Sequence, residues 1–260
     1  MASDESWKKI FADYKILKHD FSKSYFPLSA EQIKRSCQDF RKTTEKEVRI
    51  LCKQDTRESR PLIFQENNLF ILPTKNGHYA ICKGEGYVDI PSISSKIETY
   101  NSKLRFHLDS SEVGDSEMQH LDFAFASALI QSFMDDPSLL LTIRGRKYTP
   151  KFSFAINGIN IDVSSVQTEV DAGYEGIDKL VLIEAKNTNV TNTVIRQLYY
   201  PFRQWKSYTK KAVIPLFFEH DKEQSAYNIW QYTFDNENDY NSIRLVKAKS
   251  YKIIGPNSED

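Results

Sequence analysis

The apolar run Leu180-Val181-Leu182-Ile183, followed at once by Glu184-Ala185-Lys186, constrains this chain more than any other stretch. Four apolar residues in succession suit a strand covered on both faces. Side chains alternate across a strand, so Glu184 and Lys186 share one face while Ile183 and Ala185 point to the other. Upstream, Glu169-Val170-Asp171 sets two more acids on one strand face. If the two strands are neighbours, several carboxylate oxygens and one ammonium converge at one end of a sheet. Glu-x-Lys alone usually marks a solvated face; the apolar run before it reverses that, because a buried Glu or Lys needs a partner or a metal to offset its desolvation. A hard cation such as Mg²⁺ takes oxygen ligands and keeps several waters plus a substrate phosphate, so two or three carboxylates are enough protein for it. Lys186 would then hold or activate the attacking water.

This arrangement resembles the PD-(D/E)XK phosphodiesterase superfamily, with Asp171 in the place of the motif aspartate, Glu184-Ala185-Lys186 as the (D/E)XK element, and Val170 where the family's name has proline. The run from Gln167 to Gly176, through Glu184-Ala185-Lys186-Asn187, to the segment Arg196–Arg203 looks like a branch of prokaryotic type II restriction endonucleases. The resemblance implies an α/β fold: a restriction-endonuclease-like mixed β-sheet core flanked by helices over residues 106–260, after an N-terminal α+β region, residues 1–105, for DNA recognition. It implies a Mg²⁺-dependent enzyme that hydrolyses double-stranded DNA at a short specific site, as a homodimer, in a prokaryotic cytoplasm. A repair or junction-resolving nuclease with the same core, and a non-catalytic nucleic-acid-binding protein, are the alternatives.

The same resemblance assigns Asp171, Glu184 and the backbone carbonyl of Ala185 as metal ligands. Glu169 either binds a second ion or pairs with a basic residue. Glu117, in the first turn of a helix, matches a supporting glutamate of such nucleases, although the helix dipole favours an acid there anyway. Gln197 matches a glutamine that touches the site in several branches. His120 reads as a surface or core histidine rather than a ligand.

The chain carries 35 basic and 35 acidic residues, so affinity for a polyanion must come from how charge is distributed. From Ala185 to Phe218 there is no acid, and Arg144, Arg146, Lys147 and Lys151 form a second acid-free cluster. DNA-backbone contacts are expected from Arg144, Arg146 and Lys147, where Gly145 permits close approach, and from Arg196, Tyr200 and Arg203; Arg196 and Tyr200, four apart on a helix, could grip one phosphate. Cys37, Cys52 and Cys82 form no CxxC pair, which points away from disulfides and cysteine zinc sites and towards a reducing compartment. No apolar run approaches a membrane span.

Local pattern fills in the elements. Trp7, Ile10, Phe11 and Tyr14 share a helical face, Ser29 to Gln32 fits a capping box, and Asn76-Gly77 signals a hairpin with positive φ at both turn residues. A long helix is expected from Gly114 to about Met134 and another from Asn192 to Lys206, kinked or split at Pro201. Strands are expected at residues 151–155, 162–171, 179–186, 212–218, 229–234 and 243–247.

Overall fold

The computed structural model describes residues 3–187 and 190–255. Helix α1 (Asp4–Asp13) buries Trp7, Ile10 and Phe11 on the face that their spacing marks out. Strand β1 (Phe26–Ser29) leads into α2 (Ala30–Ser36) through the expected capping box: the Gln32 N–H donates to the Ser29 hydroxyl, and the Ser29 N–H donates to the Gln32 side chain. Three short helices follow, α3 (Thr43–Lys46), α4 (Val48–Leu51) and α5 (Leu62–Glu66). Then β2 (Leu69–Lys75) and β3 (His78–Lys83) form the expected hairpin, in a small sheet of order β1-β3-β2 that leaves Pro73 on an edge strand.

The turn itself departs from expectation. Of its two residues only Gly77 has positive φ, at +72°. A register shift between Pro73 and Lys75 lets the strands twist without a second left-handed residue. Alternate residues of the hairpin serve two cores. Leu69, Ile71 and Ile81 pack with Trp7, Phe11 and Phe64, whereas Phe70, Leu72, Ala80 and Cys82 pack against the rest of the chain.

Beyond the hairpin come β4 (Tyr87–Asp89), β5 (Glu98–Asn101), α6 (Glu117–Ala126), α7 (Leu129–Phe133), β6 (Leu140–Tyr148), β7 (Phe152–Ile156), β8 (Ile159–Val163), β9 (Gln167–Glu175), β10 (Lys179–Lys186), β11 (Asn192–Val194), α8 (Arg196–Lys206), β12 (Ala212–Asp221), β13 (Ala226–Phe234) and β14 (Ile243–Ile254). Seven strands form one large sheet of order β5-β14-β13-β12-β10-β9-β6. Within it β10 runs parallel to β12 and β5 parallel to β14, while the other pairs are antiparallel, so this is a mixed α/β sheet flanked by helices. β5 lies within residues 1–105, so the sheet draws one edge strand from the region expected to stand before it.

The central strand β10 shows why its sequence is so apolar. Leu180 and Leu182 face α8, whose Tyr199 and Tyr200 are fully buried, and Val181, Ile183 and Ala185 face α6 and α7. Each large side chain so covered stabilises the fold by about 1.5–3 kcal/mol relative to exposure. Among the described residues no helix is long and apolar enough to cross a membrane.

Three expectations need correction, and one further segment is a strand with no clean sequence signal. The helix from Gly114 to Met134 is two helices, because Ala128 takes a left-handed φ of +63° between them. The Ser127 carbonyl there accepts from the Lys103 N–H and the Tyr100 hydroxyl. Residues 162–171 divide between β8 and β9, separated by Ser165 at φ +53°. Residues 140–148 are the edge strand β6; its alternation is hidden by two register shifts and by Gly145 at φ +80°. Helix α8 runs unbroken through Pro201. The ring is buried at the middle of the helix and removes one internal bond.

Candidate active site

The parallel strands β10 and β12 end side by side, and the carboxylates gather where β10 stops pairing with β9. The ladder between β9 and β10 runs as far as Ile183 opposite Ala172. One step further on, the Ala185 N–H donates to Asp171 Oδ2 at 2.8 Å, so a carboxylate takes the place of a backbone partner. The strand is irregular here: Ile143 faces Gly173 while Gly145 faces Val170, so two residues of β6 match three of β9. Val170 packs towards α8, yet Ala172 and Tyr174 pack towards α6 and α7. Regular alternation is therefore lost at Asp171, and the expectation that Glu169 and Asp171 share a face by simple strand period does not hold. Glu169 is exposed and accepts from Arg146 Nε at 3.1 Å, which is the ion-pair option for this residue.

Glu184 is 9% exposed and lies on the α8 face. Its Oε1 accepts from Lys186 Nζ and, at 2.8 Å, from Gln197 Nε2 in the first turn of α8. The Thr193 hydroxyl donates to Gln197 Oε1 at 2.5 Å, which fixes the amide so that its NH₂ points at Glu184. Lys186 Nζ also donates to the Ala185 carbonyl at 3.0 Å. From the opposite side, the first turn of α6 brings Glu117, whose Oε1 accepts from the Asn187 N–H at 3.3 Å. Asp171, Glu184, Lys186, Glu117 and Gln197 thus come from four elements and meet at the end of the sheet where β9 and β10 stop pairing.

Charge is unbalanced in this pocket. Burial raises the Asp171 carboxyl above the ordinary carboxylate range, and burial together with the Asp171 charge pushes Glu184 up to about 7, against the pull of Lys186. Burial disfavours the Lys186 ammonium, yet Glu184, Asp171 and Glu117 together outweigh it and raise Lys186. The two partners move in opposite senses with respect to charge because three acids share one ammonium. That is the electrostatic condition for binding a cation.

The expected DNA contacts separate into two groups. Arg146 and Lys147 are exposed on β6, Lys147 lying 6.0 Å from the Trp205 ring, and Arg144 pairs with Asp122. On α8 the outcome differs. Arg196 is partly buried and sits 3.8 Å from Asp55. Tyr200 is fully buried and donates to the Pro73 carbonyl at 2.9 Å, so it cannot share a phosphate with Arg196. Arg203 donates to the Ser153 carbonyl at 3.1 Å and the Tyr199 hydroxyl at 2.8 Å, and holds the loop around Glu237. For Tyr200 this is a correction: its side chain is turned into the core, whereas Arg203 stays partly exposed.

Two acidic or histidine groups near this end of the sheet escaped the sequence reading. Glu219, in register with Lys186 on β12, is 5% exposed, and its oxygens accept from Asn228 Nδ2 and the Val190 N–H. Asp115, His120 and His220 form a compact group on the α6 side. Period-two spacing placed Glu184 and Lys186 together, but no local signal joins a helix histidine to one on a distant strand.

A model described as a domain of unknown function (DUF6997) matches residues 82–252, the span that carries the large sheet and the carboxylate pocket. The chain belongs to that family. A second model, also described as a domain of unknown function (DUF6996), matches residues 4–81 of this DUF6997 protein. No curated protein and no solved structure matches the chain.

Proposed function

We propose that this DUF6997 protein is a Mg²⁺-dependent nuclease with a restriction-endonuclease-like core, hydrolysing phosphodiester bonds of double-stranded DNA at a short specific site, as a homodimer. The observation that carries the reading is the buried meeting of Asp171, Glu184 and Glu117 around Lys186, where three acids face one ammonium. The donor set fits the ion. Asp171, Glu184 and the Ala185 carbonyl supply only oxygens, as a hard divalent cation requires, and they would hold it. Bound there, Mg²⁺ supplies charge neutralisation for the scissile phosphate.

The chain's own residues do the rest. Gln197, held by Thr193, fixes the rotamer of Glu184. The Ala185 N–H fixes Asp171. Lys186 is compact, remains protonated among its acids, and orients the attacking water by hydrogen bonding rather than as a neutral base. Arg146 and Lys147 on the exposed edge strand meet the phosphate backbone.

The test is cleavage of mixed-sequence plasmid DNA with and without Mg²⁺, by wild type and Asp171→Ala. Discrete fragments that require both the metal and Asp171 support the reading. Structure-dependent nicking redirects it to a repair or junction nuclease. DNA binding without cleavage by wild type in any divalent ion overturns the enzyme assignment.

A further inference from the structure

On the α6 side of the same end of the sheet, ligand atoms of Asp115, His120 and His220 all lie within 4.8 Å of one another. His120 Nε2 is 2.8 Å from Asp115 Oδ1. The His120 and His220 rings stack, with centroids 3.6 Å apart and planes inclined by 19°. His220 Nδ1 is buried with no hydrogen-bond partner, a state that buried polar atoms rarely keep. The Tyr227 hydroxyl lies 3.5 Å from His120 Nδ1, where it can orient that ring from behind.

We propose that Asp115, His120 and His220 form a second metal site, selective for a zinc-class transition ion, distinct from the oxygen-lined pocket at Asp171 and Glu184. Two imidazoles and one carboxylate are a three-ligand set of the kind zinc accepts with water in the fourth position. Imidazole also discriminates against Mg²⁺, which prefers oxygen donors. Two features of the site oppose metal: Lys222 Nζ pairs with Asp115 and must leave that carboxylate, and the stacked rings must turn about their side-chain bonds so that a nitrogen of each points at one ion. The bound ion would pin the residue two positions before Glu117 to the end of β12. Asn187, next to Lys186, already bonds the α6 side of this joint twice, donating from Nδ2 to the Asp115 carbonyl at 2.7 Å and from its N–H to Glu117. A transition metal here would therefore order the entrance to the pocket without entering it.

The experiment is a titration of the chelator-treated full chain with Co²⁺, read by visible d–d absorption, followed by displacement with Zn²⁺ and calorimetry of Zn²⁺ alone. One ion per chain is expected, with the intense visible bands of low-coordinate cobalt. His120→Ala and His220→Ala should each weaken Zn²⁺ binding by about 100-fold or more, as befits direct ligands where outer-shell partners already matter 10–100-fold. Asp171→Asn should leave the signal in place, which separates this site from the proposed nuclease centre. Lys222→Met removes an exposed, competing cation and should tighten binding several-fold; it also serves if His220→Ala fails to fold. Absence of Co²⁺ bands in wild type, bands that persist in folded His120→Ala, or Lys222→Met binding no better than wild type would each overturn the proposal.

Discussion

The carboxylate pocket and the histidine cluster occupy the same end of the sheet and share Asn187, but they are made from opposite materials. The first collects oxygens from adjacent strands and the turn of a helix, and it traps one ammonium among three acids. The second sets two imidazoles, from α6 and β12, against a carboxylate in the approach to α6. On the two proposals above, one fold would separate two kinds of cation by a few residues: hard donors where a phosphate is to be reached, borderline donors where a joint is to be held.

The largest expected effect tests whether the two clusters work independently. With saturating Mg²⁺, Lys186→Ala should lower single-turnover cleavage by about 10²–10⁴-fold, the scale of positioned proton and water management. Lys186→Arg should not restore it, because the guanidinium fork is broader than a compact ammonium. His220→Ala should cost less than about tenfold, since it leaves every group around the water in place. Equal losses in the two alanine variants would merge the clusters into one centre.

The Lys186 comparison also shows what could be read from sequence. The pocket was legible because its residues obey local rules: Glu184 and Lys186 repeat with the strand period, Glu117 opens a helix behind the Ser116 cap, and Gln197 lies in the first turn of α8. The mixed sheet followed from the same strands. β6 was not legible, since an edge strand with register shifts and a left-handed glycine has no clean alternation. Nor was the role of Tyr200, because helical spacing says which residues share a face but not which way the face turns. His120 and His220 meet only through tertiary packing of α6 on β12, so neither residue alone could announce the cluster.

A smaller effect sharpens the electrostatic half of the comparison. Burial lifts Glu184 to about 7 from an ordinary 4.5, so the folded chain binds more protons than the unfolded chain between those values. Metal-free stability should therefore fall as pH rises from about 4.5 to about 7, and the full penalty should persist above it. Glu184→Gln should flatten this slope, with a gain at pH 8 of at most about 3 kcal/mol, reduced by the lost pairing with Lys186. Denaturant titrations of the chelated proteins at pH 5 and pH 8 measure it; parallel pH profiles for the two proteins would mean that Lys186 already neutralises the pocket.

The smallest effect concerns the helix that supplies both clusters. Ala128 holds φ at +63° between α6 and α7, a conformation costly for any residue with a Cβ. Ala128→Gly should stabilise the protein by about 0.5–1 kcal/mol, the strain relieved less the added freedom of the unfolded chain. A loss of stability in thermal melts would show that the Cβ packs well enough to outweigh the backbone.

The β2–β3 hairpin carries a consequence for how the whole chain must fold. The two family matches meet between Ile81 and Cys82, in the middle of β3, where consecutive side chains belong to different cores. A boundary drawn there divides sequences but not a folding unit. Severing the strand at that seam would take β3 residues from both cores, so the two segments should melt as one unit.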